Sequence, residues 1–121
     1  MITVLLKDAL APGYREADNE GYHYCIYVVR DEVDVLYIGE SYDVYTRLKQ
    51  HVYTRSEIGM WIRANEPDSL LWMVDLYTLR DFGIPIKSIY KNERAFKTST
   101  RKVEWELIQK HLPIFNRSRS R

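Results

Sequence analysis

The sequence predicts a single mixed α/β domain of the α+β kind, and three observations point there. Two strand-forming runs, 22–30 and 35–39, are separated by a short acidic turn, as in an antiparallel hairpin. A third run, 70–79, is almost wholly apolar, with Asp75 its one charge. Between and after these, residues 43–54, 58–62 and 100–112 repeat their apolar side chains at helical spacing. A chain of 121 residues, 45% hydrophobic and 29% charged, is long enough to bury a core without disulfide or metal staples.

In chain order, residues 2–6 suit a short edge strand, and 11–21, with Pro12-Gly13, Asn19, Gly21 and several acids, a surface loop. Tyrosines, Ile26 and paired valines favour the first hairpin strand, Asp31, Glu32 and Asp34 its turn, and Val35 to Gly39 the return. Alternation places Tyr22, Tyr24 and Ile26 on one face and Cys25 with Tyr27 on the other. Asp43 is placed to cap a helix reaching about Thr54, with Val44, Leu48 and Val52 inward. Ile58, Trp61 and Ile62 form the core face of a second, short helix. Pro67-Asp68-Ser69 is a turn before the third strand, and Asp81 to Pro85 ends that strand. In 86–100, Ile86, Ile89 and Tyr90 suit a core, whereas Lys87, Lys91, Arg94 and Lys97 do not. The final helix is expected from near Thr100 to Leu112, stopped by Pro113, with Leu107, Ile108 and Leu112 buried. The expected organisation is a strand and loop extension over 1–21, a domain over 22–116 and a basic tail over 117–121.

Composition excludes several classes. One cysteine leaves no internal disulfide and no multi-cysteine zinc site, and the histidines at 23, 51 and 111 are scattered. The apolar run at the start is too short for a signal peptide, and nothing approaches a membrane span, so a cytoplasmic setting of bacterial or phage type is expected. The net charge of +1 is unevenly spread: −6 over 1–46, zero over 47–86 and +7 over 87–121. That is either an ordinary dipolar surface or a basic end that meets phosphate.

Candidate site residues emerge from placement. Arg47 and His51 lie one turn apart on the first helix. The arginine either packs its stem along the surface or forks onto a phosphate, and the histidine is either structural or a base. Glu104 precedes Leu107 and Ile108 by three and four residues, which puts a carboxylate on the apolar side of the last helix. It either snorkels at the rim or faces inward, where it needs a cation, a hydrogen-bond network or a metal; Glu106 is the solvent-facing control. Seven of the ten tyrosines fall between 22 and 53, too many for one site, so most must pack. Tyr37 shares a strand face with Gly39, whose missing side chain permits a close approach. A phenol titrates near 10 and becomes a useful base only beside a cation.

Cys25-Ile26-Tyr27, Tyr37-Ile38-Gly39, Arg47 followed by His51, Glu104, and the ending Pro113, Phe115-Asn116 together resemble the GIY-YIG nuclease superfamily. The resemblance is strongest over 25–51 and 104–116. It implies a three-stranded antiparallel sheet flanked by helices, with phosphodiester hydrolysis at one face. It implies that Glu104 holds Mg²⁺, for which Mn²⁺ substitutes, that Arg47 neutralises phosphoryl charge, and that Tyr37 and Tyr27 orient or deprotonate water, with Tyr37 favoured as base. His51 and Asn116 match supporting positions, a phosphate contact and a brace, and Gly39 and Asn116 count among the substrate-binding positions. Cys25 stands where the family usually has glycine, which a small strand residue fills without positive φ. DNA is the expected substrate, with RNA an open alternative. Lys87, Lys91, Arg94, Lys97, Arg101 and Lys102 would supply salt-sensitive phosphate contacts. One site cuts one strand, so a double-strand break needs a homodimer or two encounters. Two other readings compete: an inactive module of the same fold that binds nucleic acid or protein, motivated by the modest net charge and altered first motif, and a small-molecule enzyme, for which no cofactor loop is visible.

Overall fold

The computed structural model describes residues 1–11, 24–41, 44–54, 56–84 and 93–116. Its centre is a sheet of four antiparallel strands in the order β1-β4-β2-β3: β1 Ile2–Leu5, β2 Tyr24–Arg30, β3 Val35–Glu40 and β4 Met73–Thr78. The resemblance implies three strands. The fourth is β1, the edge strand expected at 2–6, which covers the outer edge of β4 so that β4 exposes no row of unpaired backbone groups. A partly buried polar knot centred on Asp75 fastens the three neighbours together. Thr3 Oγ1 on β1 donates to Asp75 Oδ1 on β4 at 2.6 Å, and Arg30 Nε on β2 donates to Asp75 Oδ2 at 2.9 Å. The lone charge inside the third apolar run is thus paired, which is what permits its burial.

The hairpin turn forms because Asp31 Oδ1 accepts from the backbone N–H groups of Val33 and Asp34, at 2.8 and 2.6 Å. β2, paired on both sides, is buried along nearly its whole length. On one face of the sheet lie α1 Leu6–Ala9, α2 Val44–Tyr53 and α3 Glu57–Ala64, whose Val44, Leu48, Val52, Ile58 and Ile62 pack with Tyr27, Val29 and Leu76. On the other face α4, Glu93–His111, lays Val103 and Ile108 on Cys25, Ile26, Val28 and Ile38.

Several expectations change here. A bulge in the β2–β4 register between Tyr24 and Ile26 puts Cys25 with Ile26 on the α4 side, while Tyr24 joins Tyr27 in the other core. Strict alternation, which set Tyr24 opposite Tyr27, fails at that extra residue. Cys25 still needs no positive φ, and its thiol donates to Tyr77 O at 3.8 Å. The third strand begins only at Met73, since 68–71 form a 3-10 turn, and Thr78 and Asp81 build a capping box that starts another over Leu79–Phe82. Trp61 is 47% exposed and leans on Phe115 instead of filling the core. α4 begins at Glu93, well before Thr100, through a segment rich in the helix formers Glu93, Arg94, Ala95 and Lys97. Leu112 is 69% exposed, outside the core, because the chain turns there: its φ is +47°, its N–H bonds to Ile108 O at 2.8 Å, and Pro113 follows. The Asp43 cap, Tyr22, the loop expected over 11–21 beyond its first residue, and the 117–121 tail lie outside the described residues. No helix among the described residues is long and apolar enough to cross a membrane.

Candidate active site

The site forms beside the edge strand β3. Tyr27 and Gly39 face each other across the β2–β3 ladder, and the Tyr27 ring fills the space a side chain at 39 would need: a Cβ there would meet its Cζ and Oη at 2.3 Å. Tyr27 is 1% exposed, and its Oη lies 2.8 Å from Nε2 of His51, which comes from the last turn of α2 and is also buried. Tyr37, half-buried, stacks on Tyr27 with ring centroids 5.9 Å apart and meets the His51 ring edge-on at 5.0 Å. Burial, then the neighbouring Tyr37, pushes the Tyr27 phenol well above its ordinary range. Arg47 pulls against that shift and Glu104 adds to it, so both charges act on the Tyr27 hydroxyl although they sit on helices on opposite faces of the sheet.

His51 is held from its other side by α3. Its Nδ1 lies 3.3 Å from Oγ of Ser56, the N-cap of α3, and Ser56 Oγ also donates to His51 O at 3.2 Å while accepting from Gly59 N–H at 3.1 Å. Arg63 closes the same junction by donating to Val52 O. Arg47, one turn before His51, is exposed and donates to Gln50 Oε1 at 3.3 Å.

Glu104 faces inward, 6% exposed, which decides between the rim and inward positions left open by its place beside Leu107 and Ile108, and Glu106 is exposed. With Glu40, Arg101, Trp105 and Ile108 it lines an open cavity of about 370 Å³. Thr100 Oγ1, one turn earlier on α4, donates to Glu40 Oε2 at 3.2 Å and steers that carboxylate toward the helix. Among the described residues no three His, Cys, Asp or Glu side chains gather to enclose a metal. Two carboxylates on one open cavity do fit Mg²⁺, which takes one or two carboxylates and completes its shell with water and substrate phosphate.

Asn116 is buried against the outer edge of β3. Its Oδ1 accepts from Ile38 N–H at 2.7 Å and its Nδ2 donates to Ile38 O at 2.8 Å, so the amide acts as a one-residue strand and braces the segment between Tyr37 and Gly39. Of the basic residues, Lys97, Arg101 and Lys102 are exposed on α4, Arg94 falls in its first turn, and Lys87 and Lys91 lie outside the described residues. Sequence reasoning missed Ser56 and Glu40. Ser56 was detectable as a serine just ahead of the Ile58–Ile62 pattern, and Glu40 as the strand neighbour two beyond Ile38 on the α4 side.

A two-faced α+β domain with two tyrosines, a histidine and an arginine at one sheet edge, and a buried glutamate on the closing helix, defines a class of small nuclease domains. The model of the GIY-YIG catalytic domain matches residues 23–118, and the chain belongs to this family, whose members are endonucleases acting on nucleic acid. Comparison with curated proteins and with solved structures finds no match.

Proposed function

We propose that this protein is a metal-dependent endonuclease that hydrolyses phosphodiester bonds in DNA and works in the cytoplasm. The observation that carries the reading is the series Tyr37, Tyr27, His51, the first two stacked and the last two hydrogen-bonded, lying under the opposed charges of Arg47 and Glu104. Burial keeps Tyr27 a neutral phenol, so it serves as a relay and not as a standing phenolate. Water gives a proton to Tyr37 Oη as the Tyr37 proton passes to Tyr27 Oη and the Tyr27 proton passes to His51 Nε2. An imidazole titrates near neutrality, so the terminal acceptor is a base of suitable strength, which a phenol alone is not. In this scheme His51 acts inward through both ring nitrogens and not as the phosphate contact that the resemblance implies.

The hydroxide so formed attacks phosphorus, the P–O bond in line with it breaks, and the leaving alkoxide takes its proton from solvent. Arg47 offers a guanidinium to the charge that develops on the phosphoryl oxygens. Glu104, with Glu40 beside it, would hold Mg²⁺ or Mn²⁺, which supplies Lewis-acid polarisation of the phosphate when bound. Lys97, Arg101 and Lys102, with Lys87, Lys91 and Arg94 in the same basic third of the chain, supply contacts to the backbone phosphates.

The test is cleavage of supercoiled plasmid, branched DNA, single-stranded DNA and RNA by the parent, Glu104→Ala and Arg47→Ala, with Mg²⁺, Mn²⁺ or EDTA. The expected outcome is metal-dependent cutting of DNA, lost with EDTA and with Glu104→Ala, and reduced about 10²- to 10³-fold by Arg47→Ala. A parent that folds and binds DNA yet cuts nothing on the panel would establish the inactive-module reading instead.

A further inference from the structure

The junction between α2 and α3 contains more hydrogen bonding at His51 than a helix cap requires, and its valences can be counted. A serine hydroxyl has one proton and two lone pairs. The His51 carbonyl only accepts, so the Ser56 proton goes to it, at 3.2 Å. The Gly59 N–H only donates, so it takes one lone pair, at 3.1 Å. What Ser56 has left to offer His51 Nδ1, 3.3 Å away, is a lone pair, and Nδ1 must therefore carry a hydrogen. In a neutral imidazole that leaves the lone pair on Nε2, which faces Tyr27 Oη at 2.8 Å. Gly59 keeps the arrangement tight, since a Cβ there would lie 1.7 Å from His51 O and 2.9 Å from Ser56 Oγ.

We propose that Ser56, seated by Gly59, is a positioning residue that locks His51 in its Nδ1–H tautomer and so makes Nε2 the proton acceptor for Tyr27. The inference rests on the nuclease reading for its catalytic consequence only; the tautomer is a property of the folded chain. The same Nδ1–H bond to Ser56 Oγ is present before and after Nε2 gains a proton, so the transfer leaves neither the ring nor α3 to reorganise. With the opposite tautomer, Nε2 would carry a hydrogen, Tyr27 could only accept from it, and the relay from Tyr37 would have no terminus. The N-cap of α3 thus has a second task besides satisfying Gly59 N–H, and that task explains why its hydroxyl points back at the preceding helix.

The experiment is long-range ¹H–¹⁵N correlation of the histidine rings in the full chain, at a pH where His51 is neutral, alongside steady-state cleavage. The parent is expected to show a protonated Nδ1 and an unprotonated Nε2 at His51. Ser56→Ala should give mixed or inverted tautomers and a kcat lower by about 10- to 100-fold at unchanged KM, the range for removing the partner that orients a working imidazole. Ser56→Thr, which keeps the hydroxyl and the cap, should restore both. A parent with hydrogen on Nε2, or Ser56→Ala with tautomer and kcat unchanged, overturns the proposal. Should Ser56→Ala fail to fold, the parent spectrum alone still decides it. An Nδ1–H parent that cuts no DNA would uphold the lock while overturning the nuclease reading.

Discussion

Gly39 and Cys25 show at the residue scale how the two hairpin strands serve different ends. Gly39 is glycine because the Tyr27 ring occupies the space of its side chain. Gly39→Ala should displace that ring from His51, lowering stability by about 1–3 kcal/mol and cleavage at least tenfold; denaturant unfolding and plasmid nicking check both. Cys25 is a core residue whose chemistry is suppressed. Burial, with the charges of Glu40 and Asp81 nearby, pushes its thiol from 9.0 up to about 12. The folded pKa is raised, so the stability gained by keeping the thiol neutral is fully present below pH 9.0 and is lost as pH rises toward about 12. Between pH 9 and 10 the parent should lose on the order of 1 kcal/mol more than Cys25→Ala, measured as the difference in their denaturant midpoints.

At the scale of the element, the end of α4 is the most telling. The helix stops because Leu112 takes a left-handed conformation ahead of Pro113, and the turn then delivers Asn116 to the edge of β3. A leucine pays for that conformation where glycine would not, and its side chain is largely exposed. Leu112→Gly should therefore raise stability, by up to about 1 kcal/mol, without touching cleavage; thermal unfolding reads the gain. Had Leu112 completed a buried stripe, as periodicity alone expects, the same change would cost stability.

For the whole molecule, the sheet separates two groups of candidate residues. The α2 side carries Tyr27, Tyr37 and His51, and the α4 side carries Glu104 together with exposed Lys97, Arg101 and Lys102. Binding through such cations releases counterions, so DNA affinity should fall steeply between 50 and 200 mM salt, and Lys102→Ala should reduce the slope of log K against log salt by about 1. Equilibrium titration across that range checks it. A single site per chain also predicts nicked plasmid as the first product, with linear DNA appearing only later or at concentrations where chains associate.

How much of this was legible in the sequence depended on the range of the forces involved. The hairpin, its Asp31 turn, the apolar stripe of α2 and the place of Glu104 on the apolar side of α4 follow from periods of two and 3.6 residues and from turn chemistry, which act within a few positions, and the motif residues marked the family. The bulge that turns Cys25 away from Tyr27, the pairing of β1 with β4, the exposure of Trp61 and Leu112, the Asn116 brace and the Ser56 bond to His51 were decided only by the folded chain. Each depends on where a distant segment supplies a partner or fills a space: β4 beside β2, β1 beside β4, the end of α4 against β3, and α3 against α2. Local pattern determines which side chains seek burial or a hydrogen bond, and tertiary packing determines which of them find it.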